Sequence, residues 1–165
     1  MPVGGCDPAT KNPAQIRRKN GTVSMAYKIA VAVNKSLEPG VALNAVAHAP
    51  LGLAAKASRD HAEVFTGFDF QNYADADGGD HDFISARSLI VLRGRNGELR
   101  RLREDARREG LVSVDFTHQM TGDTFVEQLV RSAATPSAEF QYYAVAVAGP
   151  VDELDPLTRK LSLWR

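Results

Sequence analysis

The clearest hydrophobic pattern lies in residues 28–57, KIAVAVNKSLEPGVALNAVAHAPLGLAAKA. Ile29, Ala30, Val31, Ala32 and Val33 form a continuous apolar run that stops at Asn34-Lys35-Ser36, the pattern of a strand buried on both faces. Pro39 and Gly40 turn the chain. Val41 to Ala57 then reads as a helix whose small residues, among them Ala42, Ala45, Ala49 and Ala54, let it lie close to a sheet. Pro50 lacks the amide donor of an uninterrupted helix, which predicts a kink or a break near Ala49. A parallel crossover follows naturally from this order.

Farther along, VFTGFDFQNY has strand-like aromatic content and ADADGGDHDFIS is acidic and turn-rich, so residues 64–87 read as a strand or hairpin and then a loop. Ser88 to Gly94 is a second strong strand. Asn96-Gly97-Glu98 leads into a helix from Leu99 to Glu109, which Gly110 ends before a short strand from Leu111 to Phe116. Phe125, Leu129 and Val130 recur at helical spacing, which predicts a helix over Thr121 to Ala134, capped by Thr121, with that face in the core. Tyr142 to Ala148 closes the sheet, Gly149-Pro150 breaks it, and a last helix runs from about Val151 to Lys160. Strands alternating with helices make the fold α/β in three layers, with the first strand inside the sheet. No period of about 20–50 residues repeats.

Composition narrows the function. The chain has 165 residues and 44% hydrophobic content, enough for one well-buried core, expected over 25–165. Twenty basic residues balance twenty acidic ones, so attraction of the whole molecule to nucleic acid or an anionic membrane is not supported. One cysteine, Cys6, forms no internal disulfide, no apolar run approaches the roughly 20 residues that span a bilayer, and no secretory h-region opens the chain. A cytoplasmic protein without membrane contact is the expectation. Residues 1–24, rich in Gly, Pro, Asn and charge, are expected to be a flexible tail.

Several of these segments together resemble a known family. The strand Lys28 to Val33, the turn glycine Gly40, the helix carrying His48-Ala49 and the ending AVAVAGPVDELDPLTRKLSLWR resemble the type-two peptidyl-tRNA hydrolase fold. NAVAHAPLGLAA, YADADGGDHDFIS and VDFTHQM are similar to an uncharacterised bacterial family that shares it, over about Lys28 to Arg165, with insertions near 60–87 and 121–139. The resemblance implies a mixed, mostly parallel four-stranded sheet with helices on both sides and one strand running antiparallel. Where the hydrolases place a lysine and a glutamine, this chain has Val41 and Ala45, which offer neither charge nor amide to a tRNA ester. His48 and the strand-end Asp115 match. Gln119 stands where the hydrolases have a threonine.

The expected site is therefore His48 as general base or polarising donor and Asp115 as its orienting carboxylate. Asn44, one helical turn before His48 on the same face, is an expected substrate contact with Asn34, Lys35, Thr117 and Gln119, and His118 is in the same loop as the last two. Against this, a histidine on an apolar helix is often a hydrogen-bonded core residue. His48 also lies roughly 12 Å along the helix from Gly40, so it reaches the sheet edge only if the helix leans across the sheet. Asp75, Asp77, Asp80, His81 and Asp82 share a loop without calcium-loop or zinc spacing, so no metal and no cofactor is expected. The partners expected are a small-molecule or acyl-linked substrate, with tRNA and a homodimer as further alternatives. Two function classes stay open: an acyl ester or amide hydrolase or transferase, and a non-catalytic binding module on the same fold.

Overall fold

A computed structural model describes residues 26–165, and the tail expected over 1–24 lies outside the described residues. The elements in order are β1 (Tyr27–Asn34), α1 (Pro39–Asp60), α2 (Ala62–Gly67), β2 (Phe70–Ala74), β3 (Asp80–Ser85), β4 (Leu89–Gly94), α3 (Asn96–Arg108), β5 (Val112–Thr117), α4 (Phe125–Ala134), β6 (Tyr142–Pro150), α5 (Val151–Thr158) and β7 (Ser162–Leu163). Five strands form one sheet in the order β5-β6-β1-β4-β7, and β2 pairs with β3 as a separate antiparallel hairpin.

The four expected strands all enter the sheet, with β1 between β6 and β4, but the expected four-stranded sheet is corrected to five strands. Ser162–Leu163 adds a fifth strand at the edge, antiparallel to β4, and two residues carry too little periodicity to announce it. Of the four long strands β1, β4 and β5 run one way and β6 alone runs against them, as expected. Among the described residues only β1–β4 is a parallel pair; β1–β6 and β5–β6 are antiparallel because β6 is inserted in reverse between β1 and β5, and the short β7 is antiparallel to β4.

Alternation along β1 and β6 builds two cores. Ile29, Val31 and Val33 face α1 with Ala144, Ala146 and Ala148, while Ala30, Ala32, Val145 and Val147 face α3 and α5. On α1 the buried residues are Ala42, Ala45, Ala49, Leu53 and Ala57, a stripe at helical spacing. Alanine therefore meets alanine where α1 crosses β6, and the absent side chains let the helix settle close. At Gly52 the approach is closer still, since a Cβ there would come within 3.1 Å of Val114 Cγ1. Pro39 opens α1 at a first-turn position where its fixed φ suits the helix and no intrahelical amide is lost. Pro50 does not split α1, which runs from Pro39 to Asp60 as one element. Gly110, at φ +73°, ends α3 in the left-handed conformation that favours glycine.

Two segments depart from expectation. Val64 to Gly67 belongs to a short helix, because Val64 and Phe68 turn inward on the α1 side, and the acidic stretch supplies both the hairpin turn and β3. Helix α4 begins at Phe125 with Thr124 as its cap instead of Thr121, and its apolar face is not core: Phe125, Val126, Leu129 and Val130 are 71%, 66%, 54% and 66% exposed. Its polar side holds the chain instead. Gln128 Nε2 donates to Gly122 O at 2.6 Å, and Arg131 donates to Gln119 O and Thr121 O and pairs with Asp123. Those carbonyls lie in a loop without ladder partners, so satisfying them sets the helix orientation.

Two outcomes follow. Ala45→Leu, which forces a large side chain between α1 and the sheet, is expected to lower stability by about 1–3 kcal/mol in urea unfolding, whereas Ala47→Leu on the exposed side of the same helix stays within about 0.5 kcal/mol. Hydrogen bonds from Thr124 Oγ1 and from the Thr124 amide hold the Glu127 carboxyl below its ordinary pKa. A depressed carboxylate stabilises the fold fully above its unfolded pKa and loses that contribution as pH falls through the folded value. Protection from hydrogen exchange at the start of α4, taken relative to the intrinsic rate at each pH, should therefore fall on acidification below about pH 4, and Glu127→Gln should flatten that dependence.

Candidate functional site

Helix α1 lies along β5 and decides where its polar face ends up. Lys56 Nζ donates to Ser113 O at 3.1 Å, Gly52 sits on Val114, and one turn earlier the His48 ring stacks on Phe116, with centroids 5.0 Å apart and planes within 4°. Steps of four residues thus march toward the C-terminal end of β5. The helix does cross the sheet, and that brings His48 to the edge. The imidazole is exposed and is not a core histidine. Asn44, also exposed, lies one turn closer to the helix start on the same face.

A β-bulge completes the surface. Phe116 pairs with Ala144 and Thr117 with Tyr142, which leaves Tyr143 as the extra residue on β6. Tyr142 turns into the α3 core, whereas Tyr143 and Ala144 both face α1. Tyr143 then meets Phe116, with centroids 6.5 Å apart, and its hydroxyl lies 2.7 Å from His118 Nδ1, whose ring is exposed. His48, Phe116, Tyr143 and His118 form one row of rings at the end of β5 and the start of β6. The start of β6 is pinned from neighbouring elements. Asn34 Nδ2 donates to Tyr142 O at 3.1 Å, Asn96 Oδ1 accepts from Tyr142 N at 2.6 Å, and Arg100 donates to Ala138 O and Phe140 O.

The other expected residues scatter. Asp115 does not reach His48. Its side chain lies on the opposite face of the sheet from Phe116 and accepts from Arg103 Nε at 2.6 Å, beside the Tyr142 ring that Arg100 and Arg103 both cover at 5.9 Å. Burial alone pulls the Arg103 guanidinium down, but the hydrogen bond and charge of Asp115 more than offset this, so its pKa ends raised. The alternation of β5 is the cause, because Asp115 and Phe116 are neighbours in sequence and point to opposite faces. Asn34 has a holding role, with Oδ1 accepting from Ser36 N. Lys35 belongs to the β1–β4 end, its amide donating to Gly94 O at 2.9 Å. Thr117 and Gln119 are buried, and their Oγ1 and Oε1 atoms have no hydrogen-bond partner among the described residues.

Sequence reasoning singled out His48, Asn44 and the loop with His118, and did not single out Phe116 and Tyr143. Phe116 shares the parity of Val112 and Val114, which marks it for the α1 side. Tyr143 gives no such signal, because simple alternation with Val145 and Val147 sends it to the wrong face.

Residues 27–165 match the family described as "Protein of unknown function (DUF2000)". The chain belongs to the DUF2000 family. This agrees with an uncharacterised family, and not with any named activity. Among solved structures, the chain is similar to a protein of unknown function, Atu0240 from Agrobacterium tumefaciens, at 20% identity and a TM-score of 0.69, covering 85% of this chain and 98% of the other. At that identity the likeness shows the fold alone. No curated protein matches the sequence. Among the described residues no helix is long and apolar enough to cross a membrane, and no three His, Cys, Asp or Glu side chains gather to hold a metal ion.

Asp115→Asn tests the separation across the sheet. It should cost about 1–2 kcal/mol, less than the ~3–5 of a fully buried pair, because both partners keep some contact with water. The ring NMR signals of His48 should stay unmoved. A clear change there would show that the two residues communicate.

Proposed function

We propose that this DUF2000 chain is a small-molecule binding domain whose ligand carries a planar ring. The observation that carries this reading is the row of His48, Phe116, Tyr143 and His118, with both imidazoles exposed. Stacked rings offer a flat apolar face, and offset or edge contacts with a further ring add about 0.5–1.5 kcal/mol beyond the area buried. Asn44 supplies a neighbouring amide, and the His118–Tyr143 pair supplies a donor and an acceptor at the other end. Such a surface orients a flat molecule with a polar substituent at its rim.

A second reading rests on the same hydrogen bond. A hydroxyl 2.7 Å from an exposed imidazole can pass a proton, and the resemblance to type-two peptidyl-tRNA hydrolases suggests acyl ester or amide cleavage as the reaction class. Weighing against it, Asp115 is engaged by Arg103, and Val41 and Ala45 replace the lysine and glutamine of those enzymes. The binding reading is therefore preferred.

Two-dimensional NMR with indole as the probe tests it. Indole should shift the signals of residues 44–48, 116–118 and 143, and His48→Ala should weaken that binding while changing stability by no more than about 0.5 kcal/mol, as expected at an exposed position. Large destabilisation with unaltered binding would overturn the assignment. For the second reading, turnover of p-nitrophenyl acetate or of an acylated tRNA that disappears in His118→Asn would establish an enzyme. Its absence in the unaltered protein leaves the binding domain.

A further inference from the structure

A second concavity lies at the C-terminal edge of the sheet, at the ends of β1 and β4 instead of β5 and β6. It is an open cavity of ≈ 380 Å³ lined by Lys35, Arg93, Arg95, Glu98, Lys160 and Ser162. Its position follows from topology. The chain leaves β1 for α1 on one face of the sheet and leaves β4 for α3 on the other, so the connections diverge between two parallel neighbours. Ligands of α/β sheets collect where adjacent parallel strands send their connections to opposite sides.

The charge here is unlike that of the rest of the chain. Four cations face one carboxylate, in a protein whose formal net charge is zero. All four are exposed, and none forms an ion pair with a described residue, whereas Arg103 and Arg108 of α3 find Asp115, Asp105 and Glu109. Glu98 does not neutralise them freely, because its Oε2 accepts from Arg95 N at 2.7 Å to cap α3. Three segments far apart in sequence deliver these cations, one after β1, one around the end of β4 and one after α5. Gathering like charges costs repulsion that an anion would relieve. Helix α3, of 13 residues, starts immediately after Arg95 and adds the positive end of its dipole.

We propose that this cavity binds a phosphate or diphosphate group of a small molecule. Two arginines provide planar forks suited to phosphate oxygens, and the lysines add point charges. The volume lies within the roughly 300–1,000 Å³ of small-molecule pockets, and the cations ring one concavity, where a nucleic-acid strand would need a basic track.

Calorimetry with inorganic pyrophosphate at low salt, on the full chain and on Arg93→Gln/Lys160→Gln, provides the test. The unaltered protein should bind, and the double variant should bind about tenfold or more weakly, as expected for loss of charged hydrogen bonds. Without pyrophosphate the variant should melt at an equal or higher temperature, since repulsion is relieved, and pyrophosphate should no longer raise it. No binding by the unaltered protein, or equal binding by the variant, would overturn the proposal. So would a single-stranded RNA oligonucleotide that binds more tightly than pyrophosphate with a steep salt dependence, because that marks a polymer surface.

Discussion

The structure depends on how closely α1 can approach the sheet. Ala42, Ala45 and Ala49 of the helix meet Ala144, Ala146 and Ala148 of β6, and larger side chains on either surface would lift the helix away. That separation fixes the lateral course of α1. Because the helix settles low over β6, Gly52 and Lys56 reach β5, and His48 arrives over Phe116 at the end of the strand. The burial that stabilises the domain and the placement of the candidate site share one cause.

On the opposite face, charge does the corresponding work. Arg103 and Asp115 tie α3 to β5, while Arg100 covers Tyr142 and donates to the carbonyls that precede β6. Asn34 and Asn96 add bonds to Tyr142 from β1 and α3. The entry to β6 is thus held on several sides, which lets a bulge persist there. A bulge loses ladder pairing, so it needs such support, and here it turns Tyr143 toward His118.

The C-terminal edge of the sheet consequently offers two chemically distinct surfaces. Rings gather at β5 and β6, and cations without an ion pair among the described residues gather at β1 and β4. Asn34 stands between them, bonded to Tyr142 on one side and followed by Lys35 on the other. Helix α4 adds an apolar face to solvent because its polar residues are committed to the loop of residues 119–123. Amphipathicity says that a helix has two faces, and the neighbours decide which one is covered.

By itself the sequence determined the α/β class, the four long strands, the main helices and the sharing of one helical face by Asn44 and His48. Those features are local, since apolar runs, glycine and proline breaks and helical spacing act over a few residues. Tertiary structure decided the rest. Strand alternation sent Asp115 to Arg103 and away from His48, a choice that depends on which face α1 covers. The bulge that presents Tyr143, the fifth strand at Ser162–Leu163, the outward turn of Phe125 and Leu129 and the meeting of Lys35, Arg93, Arg95 and Lys160 all arise from contacts between distant segments. A one-residue change of register reverses the face of a side chain, and no local pattern in Tyr142-Tyr143 records that change.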